Sequence, residues 1–245
     1  MYLIIDTISK QSLVALGEEG KLVDKIIWQS DYKQSEELLV KIDELLVGSG
    51  VGRNDLTGVA AVNGPGSYTG IRVGVATGNA LGFALGVPVV GVLYLDVLAG
   101  WAVGEVEKRL VPEPVHSELV EPIAGLNFGS GKIIALINSI ADKYYYGIYK
   151  ERRGKIKLIG DYGNDTLEDI LEKKKGINCV IGKIDKGACG DLGNDILFLP
   201  ADYSVGGVVE KLVELGGGNL ADAAKDSLCE PLYINQPNIT PSNKK

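Results

Sequence analysis

Glycine recurs at every fourth position along one stretch of the sequence, and this spacing constrains the fold more than any other feature. The surrounding residues predict a helix over about 69–85. Each interior glycine costs a helix about 0.8–1 kcal/mol relative to alanine, so close packing must offset the loss. Residues four apart share a helix face, so small residues at this spacing let another backbone approach closely. The glycines are Gly70, Gly74, Gly78, Gly82 and Gly86.

Two kinds of neighbour fit this glycine face, and the sequence leaves both open. No charged residue occurs between Arg72 and Asp96, and a helix that is apolar or small all round is buried on every side. The face therefore meets either the chain's own sheet and the helix predicted over 34–47, or another protein. Val40 and Val47 lie off the apolar face of that earlier helix, among charged residues, which favours a protein interface. The predicted partner interface comprises Leu39, Val40, Val47, Gly70, Arg72, Gly74, Gly78 and Gly82.

The loop that leads into this helix has the composition of a phosphate-binding turn. It reads NGPGSYTGIRVG over 63–74, and Pro65-Gly66 suits the centre of a type II turn, where Gly66 would take a positive φ. Amides entering a helix N-terminus form an anion site, but a strand-to-helix turn that merely needs glycine has the same composition. The pattern is neither a Walker loop nor the dinucleotide fingerprint. The candidate nucleotide- or anion-binding residues are Asp6, Gly64, Gly66, Ser67 and Thr69.

Two charged side chains near the loop have both a functional and a structural explanation. Arg72 stands in the first turn of the predicted helix, where a cation opposes the helix dipole by about 0.3–1 kcal/mol. A bound anion, an internal acid or a partner's acid would offset this cost, and a solvated surface arginine is the alternative. Asp6 ends the first predicted strand. In actin-like kinases an aspartate at this point helps to hold Mg²⁺-nucleotide, whereas here it can also simply cap the next turn.

The order of predicted elements in the first part of the chain is β-β-β-α-β-α-β-α, and a weaker copy of it follows. This is the order of the ribonuclease-H-like core, which actin-like ATPases and sugar kinases contain twice. The predicted fold class is therefore α/β, with two ribonuclease-H-like domains built on mixed sheets. Residues 1–103 form the predicted N-terminal actin-like domain with the partner-binding helices. Residues 104–245 form a smaller, degenerate domain, whose last helix can pack back on the first. The predicted strands are 2–6, 12–19, 21–28, 56–62, 87–92, 132–139, 144–150, 155–162, 178–182 and 195–200, and the predicted helices are 34–47, 69–85, 166–175, 204–215 and 219–225, with one more after Asp96.

The bulk composition argues against several classes of function. A net charge of −7 leaves few cations for binding nucleic acid directly. Three cysteines without a close pair fit a reducing cytoplasm. The single histidine, His116, would leave a histidine-based metal site or triad without a spare histidine. We predict no metal ligands and no catalytic residue. The N-terminus lacks a basic leader, and Gly86 and Pro88 interrupt the uncharged stretch at 73–95, so no membrane segment is predicted.

Residues 63–92, NGPGSYTGIRVGVATGNALGFALGVPVVGV, resemble the signature of the bacterial tRNA threonylcarbamoyladenosine biosynthesis protein family TsaB, also called YeaZ. That signature has a GPGS-aromatic-TG-[IV]-R core, a small-residue helix and a GVP strand. YLIIDT at 2–7 and KQSEELLVKIDELL at 33–46 resemble the family's opening strand and first helix. PLYIN at 231–235 resembles its C-terminal element. The resemblance is specific over about the first 100 residues and weak thereafter.

This resemblance implies a cytoplasmic actin-like subunit without chemistry of its own. Such a subunit binds the related TsaD-type transferase, which adds threonylcarbamoyl to the adenosine 3′ of certain tRNA anticodons, and a TsaE-type ATPase joins them. The helices at 34–47 and 69–85 form the heterodimer interface, or a homodimer when the partner is absent. Contact with tRNA is then indirect, this chain requires no cofactor, and the partner interface is where ATP or ADP with Mg²⁺ could bind. The sequence departs from the family pattern at Gln34, where His is usual, and at Asn235, where Arg is common.

The leading hypothesis is a non-catalytic scaffold, a pseudo-enzyme subunit of a threonylcarbamoyltransferase complex. It predicts that Gly74→Leu or Gly78→Leu abolishes partner association and leaves the monomer folded. The rival is a phosphotransferase or ATPase of the same fold that uses Asp6 and the loop at 64–69. A peptidase would need a nucleophile and a base, and Ser67 has no histidine to pair with by sequence.

Overall fold

The structure is a computed structural model with two mixed sheets and five α-helices among the residues it describes. The described residues are 1–31, 33–110, 131–152, 155–173, 176–182, 196–201, 203 and 205–234. Within them, no helix combines the length and the apolar character that crossing a membrane requires.

The first sheet is built from the N-terminal part of the chain. Its strand order is β3-β2-β1-β4-β5, in which β1, β2 and β3 are antiparallel and β4 and β5 run parallel to β1. β1 is fully buried because both faces of this central strand are covered, as its unbroken apolar run indicates. The strands are β1 (Tyr2–Asp6), β2 (Gln11–Glu18), β3 (Lys21–Gln29), β4 (Gly58–Gly64) and β5 (Val89–Leu93).

The second sheet repeats the order of the first. Read from its other edge, the order is β8-β7-β6-β10-β11, with three antiparallel strands and then two parallel ones. Gly64 and Gly182 end the equivalent strands β4 and β10, with φ values of 137° and 138°. The predicted fold class, two ribonuclease-H-like units with mixed sheets, is confirmed. The strands are β6 (Lys132–Asn138), β7 (Lys143–Arg152), β8 (Lys155–Leu158), β9 (Gly163–Thr166), which pairs with β7, β10 (Ile177–Gly182) and β11 (Leu197–Pro200).

The helices separate and cover the two sheets. The first two pack on one face of the first sheet, and the last packs on its opposite face, where the third also lies. The third helix contacts the second sheet as well, so one large hydrophobic core spans both sheets. A smaller core lies between the far face of the second sheet and the fourth helix. The helices are α1 (Gln34–Gly48), α2 (Tyr68–Leu85), α3 (Tyr94–Leu110), α4 (Leu167–Lys173) and α5 (Val208–Ala221).

The two halves of the chain are interleaved near the predicted division at 103/104. That division falls inside α3, and α5, from the second half, packs on the first sheet. The assignment of 1–103 and 104–245 to separate domains stays a prediction. Residues 111–130, which follow the predicted division, lie outside the described residues.

Three local predictions are wrong, each for a tertiary reason. The sequence favours Ser35 as the N-cap of the helix predicted over 34–47, but α1 begins at Gln34 after Lys33, so Ser35 lies inside the helix. The helices predicted at 204–215 and 219–225 are one helix, α5, which continues through three glycines because Gly216 and Gly217 pack closely on the first sheet. β9 was missed, because its sequence GNDT has little strand propensity and is held by pairing with β7.

Candidate functional site

The glycine face of α2 is covered by the chain's own first sheet. Gly70, Gly74, Gly78 and Gly82 are all buried. A Cβ atom at Gly70 would overlap the backbone oxygen of Thr7, and one at Gly82 would overlap the side chain of Val89. Of the two alternatives that the sequence left open, burial on the own sheet is therefore correct for these four glycines, and they do not line an interface with another protein.

The opposite face of α2 is exposed, together with part of α1, so the prediction that α2 is buried on every side is wrong. Phe83 is 89% exposed and Val47 is 81% exposed, while Leu39 and Val40 are each 54% exposed. Exposure of several large apolar side chains on adjacent helices indicates an interaction surface. We call this surface the outer helix face; it comprises Leu39, Val40 and Val47 of α1 and Ala76, Ala80 and Phe83 of α2.

Arg72 lies on the same side of α2, clamped between two tyrosines. Its guanidinium carbon is 3.9 Å from the ring centroid of Tyr68, and its Nη2 donates a hydrogen bond to the Tyr68 hydroxyl. Its Nε donates to the hydroxyl of Tyr233 at 3.2 Å, which raises the pKa of the guanidinium further. The two tyrosine rings are 4.8 Å apart. We call these three residues the Arg72 clamp.

Tyr233 reaches this position because the end of the described chain crosses α2. We call residues 227–234 the C-terminal strap. The side chain of Asn79 in α2 both donates to the backbone oxygen and accepts from the backbone nitrogen of Cys229, each at 2.9 Å. At the end of β4, Asn63 donates from its side chain to Glu230 and accepts from the Leu232 amide at 2.8 Å. Sequence reasoning missed this strap, because its partners are 150 or more residues away.

The loop before α2 is a strand-to-helix turn packed against its own fold. Ser67 is the N-cap of α2, and its hydroxyl accepts from the Gly70 amide at 3.3 Å. The Ser67 amide donates to the backbone oxygen of Ile8 at 2.8 Å. The type II turn prediction is wrong, because the positive φ belongs to Gly64 rather than Gly66, and the Gly64–Pro65 peptide bond is cis.

A cleft of about 640 Å³ lies between the two sheets, at the ends of β1 and β6. It brings together three of the five candidate loop residues, Asp6, Gly66 and Ser67, but is not lined by Gly64 or Thr69. Its polar lining also includes Lys10, Asn138 and Ser139, and its aromatic lining consists of Tyr94 and Tyr203. Because the two sheets have the same strand order, Asn138 at the end of β6 occupies the position equivalent to Asp6 at the end of β1. The second unit therefore carries an amide at this position instead of a carboxylate.

Each oxygen of the Asp6 carboxylate, at the base of this cleft, accepts a hydrogen bond from the fold. Asp6 is 1% exposed. Its Oδ1 accepts from the Ile8 amide at 2.8 Å, which is the turn-capping role that the sequence left open, and its Oδ2 accepts from the hydroxyl of Tyr203. Burial raises the pKa of Asp6 to about 6. Tyr203 was not predicted from the sequence, since nothing local marks a contact over 197 residues.

Gln34, one of the two departures from the family pattern, has a structural role. Its side chain is buried at the start of α1 and donates to the backbone oxygen of Ser9 at 3.4 Å, which ties α1 to the turn between β1 and β2. Asn235 and His116 lie outside the described residues.

Comparison with known proteins matches the region that contains the loop and the outer helix face. The family model of TsaD, tRNA N6-adenosine threonylcarbamoyltransferase, matches residues 30–116. The tRNA threonylcarbamoyladenosine biosynthesis protein TsaB of Bacillus subtilis is 25% identical over 173 residues, which is 71% of this chain and 65% of that protein. TsaB of Haemophilus influenzae is 34% identical over 97 residues, which is 40% of this chain and 41% of that protein. The match thus spans less than two thirds of the length of either relative.

A solved structure shows that the likeness in fold extends over nearly the whole chain. YeaZ from Pseudomonas aeruginosa superposes with a TM-score of 0.68 at 22% identity, covering 95% of this chain and all of that one. The fold, the glycine-rich helix after β4 and the relatives named TsaB agree with one another. The chain is thus similar in sequence to proteins named TsaB and shares its fold with YeaZ.

Proposed function

We propose that this protein is a non-catalytic scaffold subunit of the complex that adds threonylcarbamoyl to the adenosine 3′ of the anticodon in tRNAs. In this role it binds and activates a TsaD-type transferase subunit in the cytoplasm. The relatives whose names include tRNA threonylcarbamoyladenosine biosynthesis support the pathway. The match to the TsaD family model supports a partner of related structure.

The outer helix face is the observation that carries the proposal. Eight large apolar side chains are exposed among the described residues, and four of them, Leu39, Val40, Val47 and Phe83, belong to this face. Clustering of exposed apolar residues on two adjacent helices favours a helix-on-helix interface. The contact is thus made by the face opposite the glycines, which only hold α2 close to its own sheet.

The choice of a TsaD-type partner rests on shared structure. The TsaD model matches residues 30–116, which contain all of α1 and α2. Two related chains that carry the same helix pair can pack these helices about a pseudo-twofold axis, as identical subunits do about a true one. The same geometry supports a homodimer when the transferase is absent. A TsaE-type ATPase is the further partner in this proposal, and tRNA contacts the complex mainly through other subunits because this chain has a net charge of −7.

The rival function is a phosphotransferase or ATPase that uses the cleft between the sheets. The residues fit Mg²⁺-nucleotide poorly, because both oxygens of Asp6 already accept hydrogen bonds within the fold. Asp6 is also the sole carboxylate among the described residues that line the cleft. Titration of the isolated chain with ATP and Mg²⁺ separates the two functions: tight binding with measurable turnover would support the rival and contradict the scaffold.

A variant of the outer helix face tests the scaffold directly. A charge buried in an apolar interface without a partner costs several kcal/mol, so Phe83→Asp should weaken binding to the transferase by roughly 30-fold or more. Ile140→Asp is the matched control, because Ile140 is 68% exposed in the turn between β6 and β7, away from α1 and α2. Binding is measured by calorimetry with the purified TsaD-type subunit, and threonylcarbamoyl transfer to tRNA is measured in parallel.

The expected pattern is that Phe83→Asp loses both binding and transfer, while Ile140→Asp keeps both. Asp6→Asn should keep transfer too, because a scaffold has no catalytic carboxylate. If Phe83→Asp still bound the transferase with the affinity of the natural chain, the interface would be wrongly assigned. If Asp6→Asn abolished transfer while binding remained intact, the scaffold role itself would be wrong.

A further inference from the structure

We propose that the Arg72 clamp receives a carboxylate of the partner subunit and that Tyr233 is the residue that positions Arg72 for it. The inference rests on the proposed function, since it names the chemistry that the partner brings to one end of the outer helix face. It adds the C-terminal strap to an interface otherwise built from α1 and α2.

The guanidinium of Arg72 is held in place but has donors left over. Two of its five N–H groups are used, one by Tyr233 and one by Tyr68, while the cation lies against the Tyr68 ring. An arginine fixed in this way loses little side-chain entropy when it binds a further group. No carboxylate among the described residues forms an ion pair with it. The remaining N–H groups can therefore serve a group from outside the described fold.

A carboxylate of a protein suits this cation better than the phosphates of RNA. The chain has a net charge of −7, and the exposed side chains of neighbouring α1 include Glu36, Asp43 and Glu44. Affinity for a polyphosphate grows with the number of cations that displace counterions, and a single arginine beside an acidic helix provides little of it. A single carboxylate needs only the two parallel N–H groups that a guanidinium offers.

Tyr233 holds Arg72 only because the strap holds Tyr233. The bonds of Asn79 to Cys229, and of Asn63 to Glu230 and Leu232, fix the strap along α2. Tyr233 then supplies both a ring beside Tyr68 and a hydroxyl that accepts from Arg72. Loss of Tyr233 should therefore weaken the partner interaction through Arg72 rather than through a contact of its own.

The test compares single and double variants in titrations with the TsaD-type subunit at low and high salt. Loss of a hydrogen-bonded charge pair corresponds to roughly 10- to 100-fold in affinity, so Arg72→Gln should weaken binding by at least about tenfold at low salt. The loss should shrink at high salt because an exposed pair is screened. Arg152→Gln, at an exposed arginine of β7, is the matched control and should leave binding unchanged.

The double variant separates positioning from direct contact. Tyr233→Leu alone should weaken binding nearly as much as Arg72→Gln, whereas adding Tyr233→Leu to Arg72→Gln should cost little more. Tyr233→Phe, which keeps the ring but not the hydroxyl, should fall between Tyr233→Leu and the natural chain. If Tyr233→Leu cost as much in the Arg72→Gln background as in the natural chain, the positioning role would be refuted.

Two other outcomes would contradict the proposal that the ligand of Arg72 is a carboxylate of the partner subunit. If Arg72→Gln left transferase binding unchanged but lowered the affinity of the complex for tRNA, the ligand would be a phosphate. If it altered only self-association of the isolated chain, the acid would belong to a second copy. Failure of the proposed function is recognised separately, because then the natural chain does not bind the transferase or Phe83→Asp does not weaken that binding.

Discussion

Alanine at two glycines of α2 should have opposite effects on stability. Gly70 and Gly78 lie on the same face of the same helix, two turns apart. A Cβ at Gly78 would lie 3.5–3.6 Å from side-chain carbons of Val59, Ala61 and Val89, which is ordinary van der Waals contact. A Cβ at Gly70 would overlap the backbone oxygen of Thr7, which a strand end cannot easily move.

The magnitudes follow from these contacts. Gly78→Ala should raise the free energy of unfolding by about 1 kcal/mol, because alanine is the better helix former and the methyl group fills available space. Gly70→Ala gains at most a similar amount from propensity, but overpacking a rigid neighbour costs about 1–3 kcal/mol. Gly70→Ala should therefore lower the free energy of unfolding by about 1–2 kcal/mol. The two variants should therefore differ by about 2–3 kcal/mol although the substitution is the same.

Urea unfolding followed by circular dichroism measures the difference. With a denaturant slope of about 3 kcal/mol per molar, the midpoint should rise by about 0.3 M for Gly78→Ala and fall by about 0.5 M for Gly70→Ala. Equal midpoints, or a higher midpoint for Gly70→Ala, would falsify the packing of α2 on its own sheet. Because α2 packs on its own sheet, Gly74→Leu or Gly78→Leu should destabilise the monomer. The expectation that these variants abolish only partner association is therefore wrong.

Three further outcomes follow from buried polar contacts. The pKa of Asp6 is raised from 3.8 to about 6, so its contribution to stability is present below about pH 4 and is lost as the pH rises to about 6; thermal unfolding of Asp6→Asn should lack this loss, which is roughly 3 kcal/mol. Tyr149→Phe removes one of two hydroxyls that donate to Asp96, at 2.6 Å, and should lower the urea midpoint by an amount equivalent to about 1.5–3 kcal/mol. Asn79→Ala leaves the backbone of Cys229 unpaired and should speed hydrogen exchange at its amide while the central strands stay protected.

A different result would contradict each of these three predictions. A parallel pH profile for Asp6→Asn and the natural chain would show that Asp6 does not titrate in this range. The control for Tyr149→Phe is Tyr145→Phe, because Tyr145 is only half-buried on β7. Equal losses would show that the hydrogen bond from Tyr149 to Asp96 does not stabilise the fold. Unchanged exchange in Asn79→Ala would mean that the strap is held by its other bonds.

The sequence was sufficient to predict those strands and helices that are determined by residues close to one another along the chain. β1 is an unbroken apolar run and is central and buried, and α2 begins after Ser67 as its capping chemistry indicates. The order of elements was enough to predict both sheets, since short connections limit the possible topologies. In each of these cases the deciding residues are neighbours in the sequence.

The candidate site could be predicted only in part, because its geometry depends on contacts between distant residues. A period of four places the glycines of α2 on one face, but not what covers that face. Tyr203 reaches Asp6 across 197 residues and Tyr233 reaches Arg72 across 161. No local propensity carries information about such pairs, so the loop could be recognised as a turn while its neighbours could not.

Under the proposed function, the C-terminal strap also determines at which stage of synthesis the protein can bind its partner. A ribosome makes α2 early and residues 227–234 late, after the strands of both sheets have been synthesised. Tyr233 can hold Arg72 only once this last stretch has emerged and lain down along α2. A partner that binds the clamped arginine would therefore distinguish a chain whose strap lies along α2 from one in which residues 227–234 have not yet been made.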